Sequence, residues 1–345
     1  MKEKLLGRTG LKVKTMGFGG IPIQRVTEDE AIKVIRRCYD LGITYYDTAR
    51  AYTVSEERIG KALKNARDNV ILATKTQALT KEAALADLEI SLKNLGTDHV
   101  DIYQLHNVSS EEEWEKIKAP EGALDAMYIA RDKGKADHIG ITSHNIRLLN
   151  KIVKENSFET VLIQYNYLSR QPVEDFLRLC RKENIGTIIM KPFGGGAFSN
   201  ARTALKFVLS NENVDVVIPG MASVSEVEEN IRVASGSYSL TEEELQLIEK
   251  DRVELGDQFC RGCDYCQPCP QEVPISLVLR AQSLVTRMGH TSRLQKMLRE
   301  SKEKSTKCIE CGTCETRCPY KLPIRELLKA RREYITNVLN EFSDL

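Results

Sequence analysis

The sequence predicts an α/β protein: a (β/α)8 barrel of the TIM type over residues 1–255, then a small, mainly α-helical domain over residues 256–345. Three observations carry that reading. Short apolar runs alternate eight times with longer amphipathic stretches. Eight of the ten cysteines crowd between Cys260 and Cys318. The 345 residues, 41% hydrophobic and 29% charged, suffice for one large core and a smaller one.

After an opening segment, Leu5-Leu6-Gly7-Arg8-Thr9-Gly10, the strand-like runs are 14–19, 43–47, 70–75, 100–106, 136–142, 161–165, 187–191 and 214–219. Helical patterns occupy 28–41, 81–95, 114–133 and 173–184 between them. Gly42, Gly96 and Gly134 close such stretches, where a helix end favours a left-handed residue. A doubly wound sheet would place Gly-x-Gly-x-x-Gly after its first strand. The turn here reads Gly17-Phe18-Gly19-Gly20-Ile21-Pro22, so the barrel is preferred. A charged helix at 242–255 leads to a composition shift near Gly256, taken as the domain boundary. Beyond it, 275–288, 293–303 and 324–342 read as helices.

The net charge of +1 gives no field for nucleic acid or an anionic membrane. No apolar run approaches the roughly 20 residues of a membrane span. Met1-Lys2-Glu3-Lys4-Leu5 lacks the pattern of a signal peptide, and the expected location is cytoplasmic. In a reducing compartment clustered cysteines are metal ligands sooner than disulfides. Cys38 and Cys180, inside helical patterns, are expected to be small buried apolar residues.

Barrel enzymes carry catalytic groups at the C-terminal ends of their strands. Three runs end on a polar residue that a core would not choose: Asp47, Lys75 and His106, with Tyr52 in the loop after Asp47. Neighbouring strands would bring all four to one pocket rim. A phenol with its ordinary pKa of about 10 is a poor acid at neutral pH, and an adjacent ammonium favours its ionised form. Asp47 would keep Lys75 charged, His106 would position a substrate oxygen, and Tyr52 would protonate a carbonyl as hydride reaches its carbon.

At these residues the sequence resembles the aldo/keto reductase family. The resemblance rests on Leu6-Gly7-Arg8-Thr9-Gly10-Leu11, Tyr45-Tyr46-Asp47-Thr48-Ala49-x-x-Tyr52, Ser55-Glu56-x-x-Ile59-Gly60, Lys75 and Asp101-x-Tyr103-x-x-His106. It covers residues 5–235 and implies a catalytic tetrad of Asp47, Tyr52, Lys75 and His106. It also implies a nicotinamide cofactor and a small-molecule carbonyl substrate. Thr142-Ser143 stand where the family uses Ser-Asn for the carboxamide, and Gln164 fits its glutamine. Met190, before Pro192 and Phe193, stands where many members stack an aromatic ring. Gly20 and Asp47 also fall at cofactor positions, and Gly195 lies in a glycine run that lets backbone approach a pyrophosphate. Gly220, Glu226, Glu229 and Asn230 match the adenosine-phosphate segment. Glu226 replaces an arginine common in NADP-dependent members; a carboxylate repels a 2′-phosphate and suits ribose hydroxyls, so NADP(H) and NAD(H) both stay open. Asn107, in place of a frequent aromatic, implies a more polar pocket.

The cysteines read Cys260-x2-Cys263-x2-Cys266-x2-Cys269-Pro270 and Cys308-x2-Cys311-x2-Cys314-x3-Cys318-Pro319. The second run has the bacterial ferredoxin spacing, in which three thiolates hold one cubane and the fourth reaches another. Paired Cys-x2-Cys units also suit zinc. The pattern resembles dicluster, ferredoxin-like domains of the helical kind. That resemblance implies two 4Fe–4S clusters, one held by Cys260, Cys263, Cys266 and Cys318, the other by Cys308, Cys311, Cys314 and Cys269.

Nicotinamide delivers two electrons and a cluster passes one, and no flavin motif is present to convert between them. Three functions follow. The barrel reduces a carbonyl while the clusters are structural or exchange electrons with a redox protein partner. Alternatively, an iron–sulfur electron-transfer protein keeps a barrel that no longer does hydride chemistry, or a cofactor-binding barrel serves as a redox sensor.

Overall fold

The computed structural model describes residues 1–155, 158–170, 172–198, 200–289 and 291–341. The chain forms two compact units: Met1–Phe193 with Asn200–Thr241, and Glu242–Leu345 with the segment from Gly194. The division falls ahead of the charged helix at 242–255 rather than at Gly256.

In the first unit the opening segment is a hairpin, β1 (Glu3–Leu5) and β2 (Lys12–Lys14), paired antiparallel. Eight parallel strands follow: β3 (Phe18–Gly19), β4 (Tyr45–Asp47), β5 (Ile71–Thr76), β6 (Val100–Leu105), β7 (Ala136–Ser143), β8 (Thr160–Gln164), β9 (Gly186–Met190) and β10 (Val216–Val217). They pair in sequence order, and bridges Met16↔Val217 and Gly19↔Gly220 join the last strand to the first. The outer strands are shorter than the apolar runs at 14–19 and 214–219. Residues 12–14 pair with β1 instead, and the closing seam is held by separate bridges.

Helices α1 (Glu28–Asp40), α2 (Ser55–Leu63), α3 (Lys81–Leu95), α4 (Glu111–Lys118), α5 (Ala123–Asp132), α6 (Ile146–Glu155), α7 (Val173–Lys182), α8 (Ala201–Leu209) and α9 (Val224–Ala234) alternate with the strands. Side chains cap the starts of α1, α3, α4, α8 and α9. Thr27 and Glu30 form a reciprocal capping box at α1, and Gly96, at φ 67°, ends α3. The helix expected over 114–133 is two helices. Pro120 disfavours helical backbone at the residue before it, and a Cβ on Gly122 would stand 2.2 Å from the Ile117 carbonyl oxygen.

Inside the barrel, alternate residues point inward. Tyr45, Ile71, Ala73, Ile102, Leu162, Ile188 and Val216 pack with Leu6 and Val13 of the hairpin region, which thereby plugs the N-terminal end. A second, larger layer fills the space between strands and helices and takes in the buried Cys38 and Cys180. Burial pushes both thiols up, Cys180 to about 12. This is the inert apolar role expected of them.

The second unit is helical, with no strand among its described residues: α10 (Glu242–Leu255), α11 (Ile275–Leu279), α12 (Ala281–Met288), α13 (Ser292–Ser305), α14 (Thr313–Arg317) and α15 (Ile324–Glu341). The stretch at 275–288 breaks at Arg280, and Phe342, expected to end the last helix, lies outside the described residues. Val278, Leu294, Leu298, Leu328 and Ile335 form the core, against which the cysteine loops lean.

Candidate functional site

At the C-terminal end of the barrel the inward positions change from apolar to polar. Asp47 follows Tyr45 by one inward step, Lys75 follows Ala73, and Gln104 follows Ile102. Lys75 and Asp47 are only 1% and 3% exposed, so neither charge has water to satisfy it. They satisfy each other: Lys75 Nζ lies 2.7 Å from Asp47 Oδ2 and 2.5 Å from the Thr48 carbonyl oxygen. Gln104 donates its amide to the other carboxylate oxygen at 3.3 Å.

Tyr52 sits in a turn between β4 and α2, where its N–H reaches the Ala49 carbonyl. The Lys75 ammonium stands 5.0 Å from the Tyr52 ring centre. The His106 ring also meets Tyr52, edge-on, with centroids 5.6 Å apart. Asp47, Tyr52, Lys75 and His106 thus share one rim. Burial by itself would lower the Lys75 ammonium, but Asp47, Tyr52 and Glu56 outweigh it and hold the amine above the usual lysine range. Burial pushes the Asp47 carboxyl up against the pull of Lys75 and Gln104. The geometry is that of an ion pair. Gln104 was not anticipated, although its place two residues before His106 puts it in the inward register.

The residues expected around a cofactor are placed unevenly. Thr142 Oγ1 accepts the Asn107 N–H at 2.7 Å and keeps its own hydrogen to donate. Ser143 is committed, donating to the Val108 carbonyl and accepting from Asn145 N–H. Gln164 pairs in register with Met190, which is half-buried over the interior layer. Pro192 is buried, and Phe193 packs on the outer layer. A Cβ on Gly20 would stand 2.7 Å from Ser55 Oγ and 2.8 Å from the Asp47 carbonyl, so only glycine fits between them. Gly220 likewise abuts Pro22. Ser223 caps α9 by accepting the Glu226 N–H at 3.2 Å, and the Glu226 carboxylate reaches back to accept the Ala222 N–H at 2.6 Å, while Glu229 is exposed and Asn230 buried. Gly195 is counted in the second unit, where its carbonyl accepts from Ser283 at 3.2 Å.

The second unit holds two hollows walled by cysteines. One, of about 320 Å³, is lined by Cys260, Cys263, Cys266 and Cys318. The other, of about 400 Å³, is lined by Cys269, Cys308, Cys311 and Cys314, and shares Cys266 and Ile275 with the first. Four thiolates on one zinc would crowd within about 4 Å of one another. Among the described residues no three His, Cys, Asp or Glu side chains gather to hold a single ion. Four cysteines lining each hollow match the four iron corners of a 4Fe–4S cubane, each of which takes one thiolate. Burial pushes the thiols of Cys260, Cys263 and Cys266 up, Cys263 to about 11, whereas hydrogen bonds from Thr313 hold the exposed Cys311 below the usual range.

Comparison with known proteins adds the following. A sequence model of the aldo/keto reductase family matches residues 15–203, and one of the 4Fe-4S dicluster domain matches 259–323. The chain is 26% identical over 300 residues to an L-galactose dehydrogenase of Arabidopsis thaliana, covering 72% of this chain and 93% of that protein. It is 32% identical over 209 residues to the aldo-keto reductase YhdN of Bacillus subtilis, covering 55% and 61%. The solved structure of aldo-keto reductase AKR11C1 from Bacillus halodurans in its holo form superposes with a TM-score of 0.64 at 25% identity, covering 73% of this chain and 96% of that one.

Proposed function

The chain belongs to the aldo/keto reductase family and is an oxidoreductase; on that premise we propose that its barrel reduces an aldehyde or ketone by hydride transfer, with Tyr52 as the general acid. One observation carries the reading: a buried ammonium held by Asp47 beside the Tyr52 ring, with the His106 ring edge-on to the same tyrosine. A nicotinamide held by Thr142, Gln164 and Met190 would supply the hydride for the carbonyl carbon. Tyr52 gives its proton to the carbonyl oxygen, so the substrate gains one C–H and one O–H bond and leaves as an alcohol. The Lys75 ammonium faces the negative charge that then develops on the Tyr52 oxygen, which is where a preorganised cation lowers a barrier most. Asp47, the Thr48 carbonyl and Gln104 fix that ammonium, and His106 orients the carbonyl oxygen.

Thr142, Gln164 and Met190, together at the ends of neighbouring strands, suit the nicotinamide. For the adenosine end we favour NADH. The Glu226 carboxylate already occupies the Ala222 N–H just ahead of α9, and a 2′-phosphate would meet its charge.

In the second unit Cys260, Cys263, Cys266 and Cys318 would hold one 4Fe–4S cluster, and Cys269, Cys308, Cys311 and Cys314 the other. Each cluster, when bound, stores a single electron. Raised thiols such as Cys263 would release their protons on binding, which makes loading favour higher pH. Among the described residues no helix is long and apolar enough to cross a membrane. We place the protein in the cytoplasm, acting on small carbonyl compounds, with a redox protein as the external partner of the clusters.

The test is a titration of anaerobically purified protein with NADH and NADPH, following nicotinamide and cluster absorbance together. Carbonyl-dependent NADH oxidation, reduced about 10²–10⁴-fold in Tyr52→Phe, is the expected outcome. Absence of nicotinamide binding rejects the reductase reading. Bleaching of the clusters by NADH without any carbonyl replaces it with electron transfer.

A further inference from the structure

Glu56 is a wholly buried acid to which the proposed reduction assigns no step. It stands in the first turn of α2, where a helix start favours an anion. A carboxylate without water needs donors, and three side chains supply them. Thr74 Oγ1 donates to Oε1 at 2.7 Å, while Arg50 Nη1 and Asn94 Nδ2 donate to Oε2 at 2.6 and 3.1 Å. The Asn94 contact requires α2 and α3 to approach closely. Gly60, one turn after Glu56, permits this: a Cβ there would stand 2.4 Å from the Leu95 carbonyl oxygen.

Two of these donors belong to the segments that carry the acid and its cation. Thr74 immediately precedes Lys75 on β5, and strand alternation turns it to the helix side while Lys75 points inward. Arg50 lies between Thr48, whose carbonyl accepts from the Lys75 ammonium, and Tyr52. Its own backbone N–H donates to the Lys75 carbonyl at 3.0 Å. One carboxylate thus ties the strand of the ammonium to the loop of the phenol. That loop needs restraint. Thr53, next to Tyr52, sits at φ 41°, a left-handed backbone that a β-branched residue keeps only when its surroundings impose it.

We propose that Glu56 is a positioning residue for carbonyl reduction: through Arg50 and Thr74 it holds the Tyr52 phenol at its working distance from the Lys75 ammonium. The proposal rests on the reading of Tyr52 as the general acid. Lys75 from β5 and His106 from the end of β6 face the phenol, with Asp47 of β4 behind the ammonium. Charge and position then make opposite predictions. Glu56 also acts through space, helping to hold Lys75 above the usual lysine range. Removing its carboxylate takes a negative charge away from the phenol, which by itself lowers the phenol's pKa. A phenol that drifts from the ammonium loses the cation beside its ionised form, and its pKa rises. The sign of the change separates the two roles.

The experiment is the pH profile of kcat for carbonyl-dependent NADH oxidation by the full chain, with folding checked by circular dichroism. The acid must be protonated to act, so the rate falls as pH rises through its pKa. Glu56→Gln is expected to lower kcat about 10–10²-fold and to move this alkaline limb to higher pH, with NADH affinity kept. Thr74→Val changes no charge. It should move the limb the same way by a smaller step, and it decides the matter should Glu56→Gln fail to fold. Leu6→Ala, in the plug at the other end of the barrel, should leave the limb in place. A limb that stays or moves to lower pH in either folded variant overturns the proposal, as does an equal upward shift in Leu6→Ala. A wild type without carbonyl-dependent oxidation, or a Tyr52→Phe variant as active as its parent, overturns instead the reading on which it rests.

Discussion

The two ends of the barrel are made from the same inward-facing columns of side chains, yet they solve opposite problems. At the N-terminal end Ile71, Ile102, Leu162 and Ile188 close over Leu6 and Val13 as a dry plug. Arg8 stitches the hairpin to the barrel through the Phe158 and Asn184 carbonyls at 2.6 and 2.8 Å. One or two steps along the same strands the columns end in Asp47, Lys75 and Gln104, polar groups that are just as buried. The first end gains by excluding water. The second bears the cost of burying charge and recovers it only through its partners. Substitutions should therefore separate the ends: the floor answers in stability alone, the mouth in both stability and rate.

The strongest way to break this contrast is Lys75→Met. It leaves Asp47 buried beside no cation, and we expect about 3–5 kcal/mol of lost stability in urea unfolding, together with loss of carbonyl reduction. Adding Asp47→Asn should recover much of the stability and none of the activity. A single variant as stable as the parent would mean that the pair is not sequestered. Next in size is Leu6→Ala, at a fully buried position of the plug. About 2–5 kcal/mol should be lost through the cavity it leaves, with kcat/KM unchanged at a temperature where the variant is folded. A matching fall in kcat/KM would show that floor and mouth are mechanically coupled.

The smallest expected effect is electrostatic and belongs to the floor. Burial by itself would raise the Glu159 carboxyl, but His138 at 2.8 Å, the Ile139 N–H at 2.9 Å and Arg131 outweigh it and hold it below its usual range. A depressed carboxyl stabilises the fold above its unfolded value of about 4.3, and that stability disappears as the pH falls through the folded value. Glu159→Gln should thus cost about 1 kcal/mol at pH 7. The gap between variant and parent should close below about pH 4. A constant gap at all pH values would assign the effect to shape rather than charge.

Much of this contrast could be read in the sequence because strand alternation and chemistry coincide. Asp47, Lys75 and His106 end apolar runs at positions that an inward column dictates, and the structure puts them beside Tyr52. Gln104 escaped notice because it lies inside its run rather than at the end. The break between α4 and α5 escaped because apolar periodicity continues across Pro120 and Gly122, and the steric conflict at the Ile117 carbonyl exists only in three dimensions. The hairpin pairing of residues 12–14 depends on register with Glu3–Leu5, which short, polar strands do not advertise. The sequence presents Glu226 as a group facing a ligand, whereas its carboxylate accepts the Ala222 N–H just ahead of its own helix. Local backbone demand at a helix start is met before any ligand arrives.

The seam of the barrel has a consequence for the order in which the molecule assembles. Its parallel bridges tie Met16 to Val217 and Gly19 to Gly220, near opposite ends of the barrel sequence, and few hydrogen bonds hold them. Pairing so distant in sequence is rewarded only after the intervening chain has been ordered. The cylinder is therefore expected to close last and to open first, with amide hydrogens of Gly17, Gly19 and Val217 exchanging with solvent sooner than those of β5 and β6. What completes the enclosure is thus also its most reversible step.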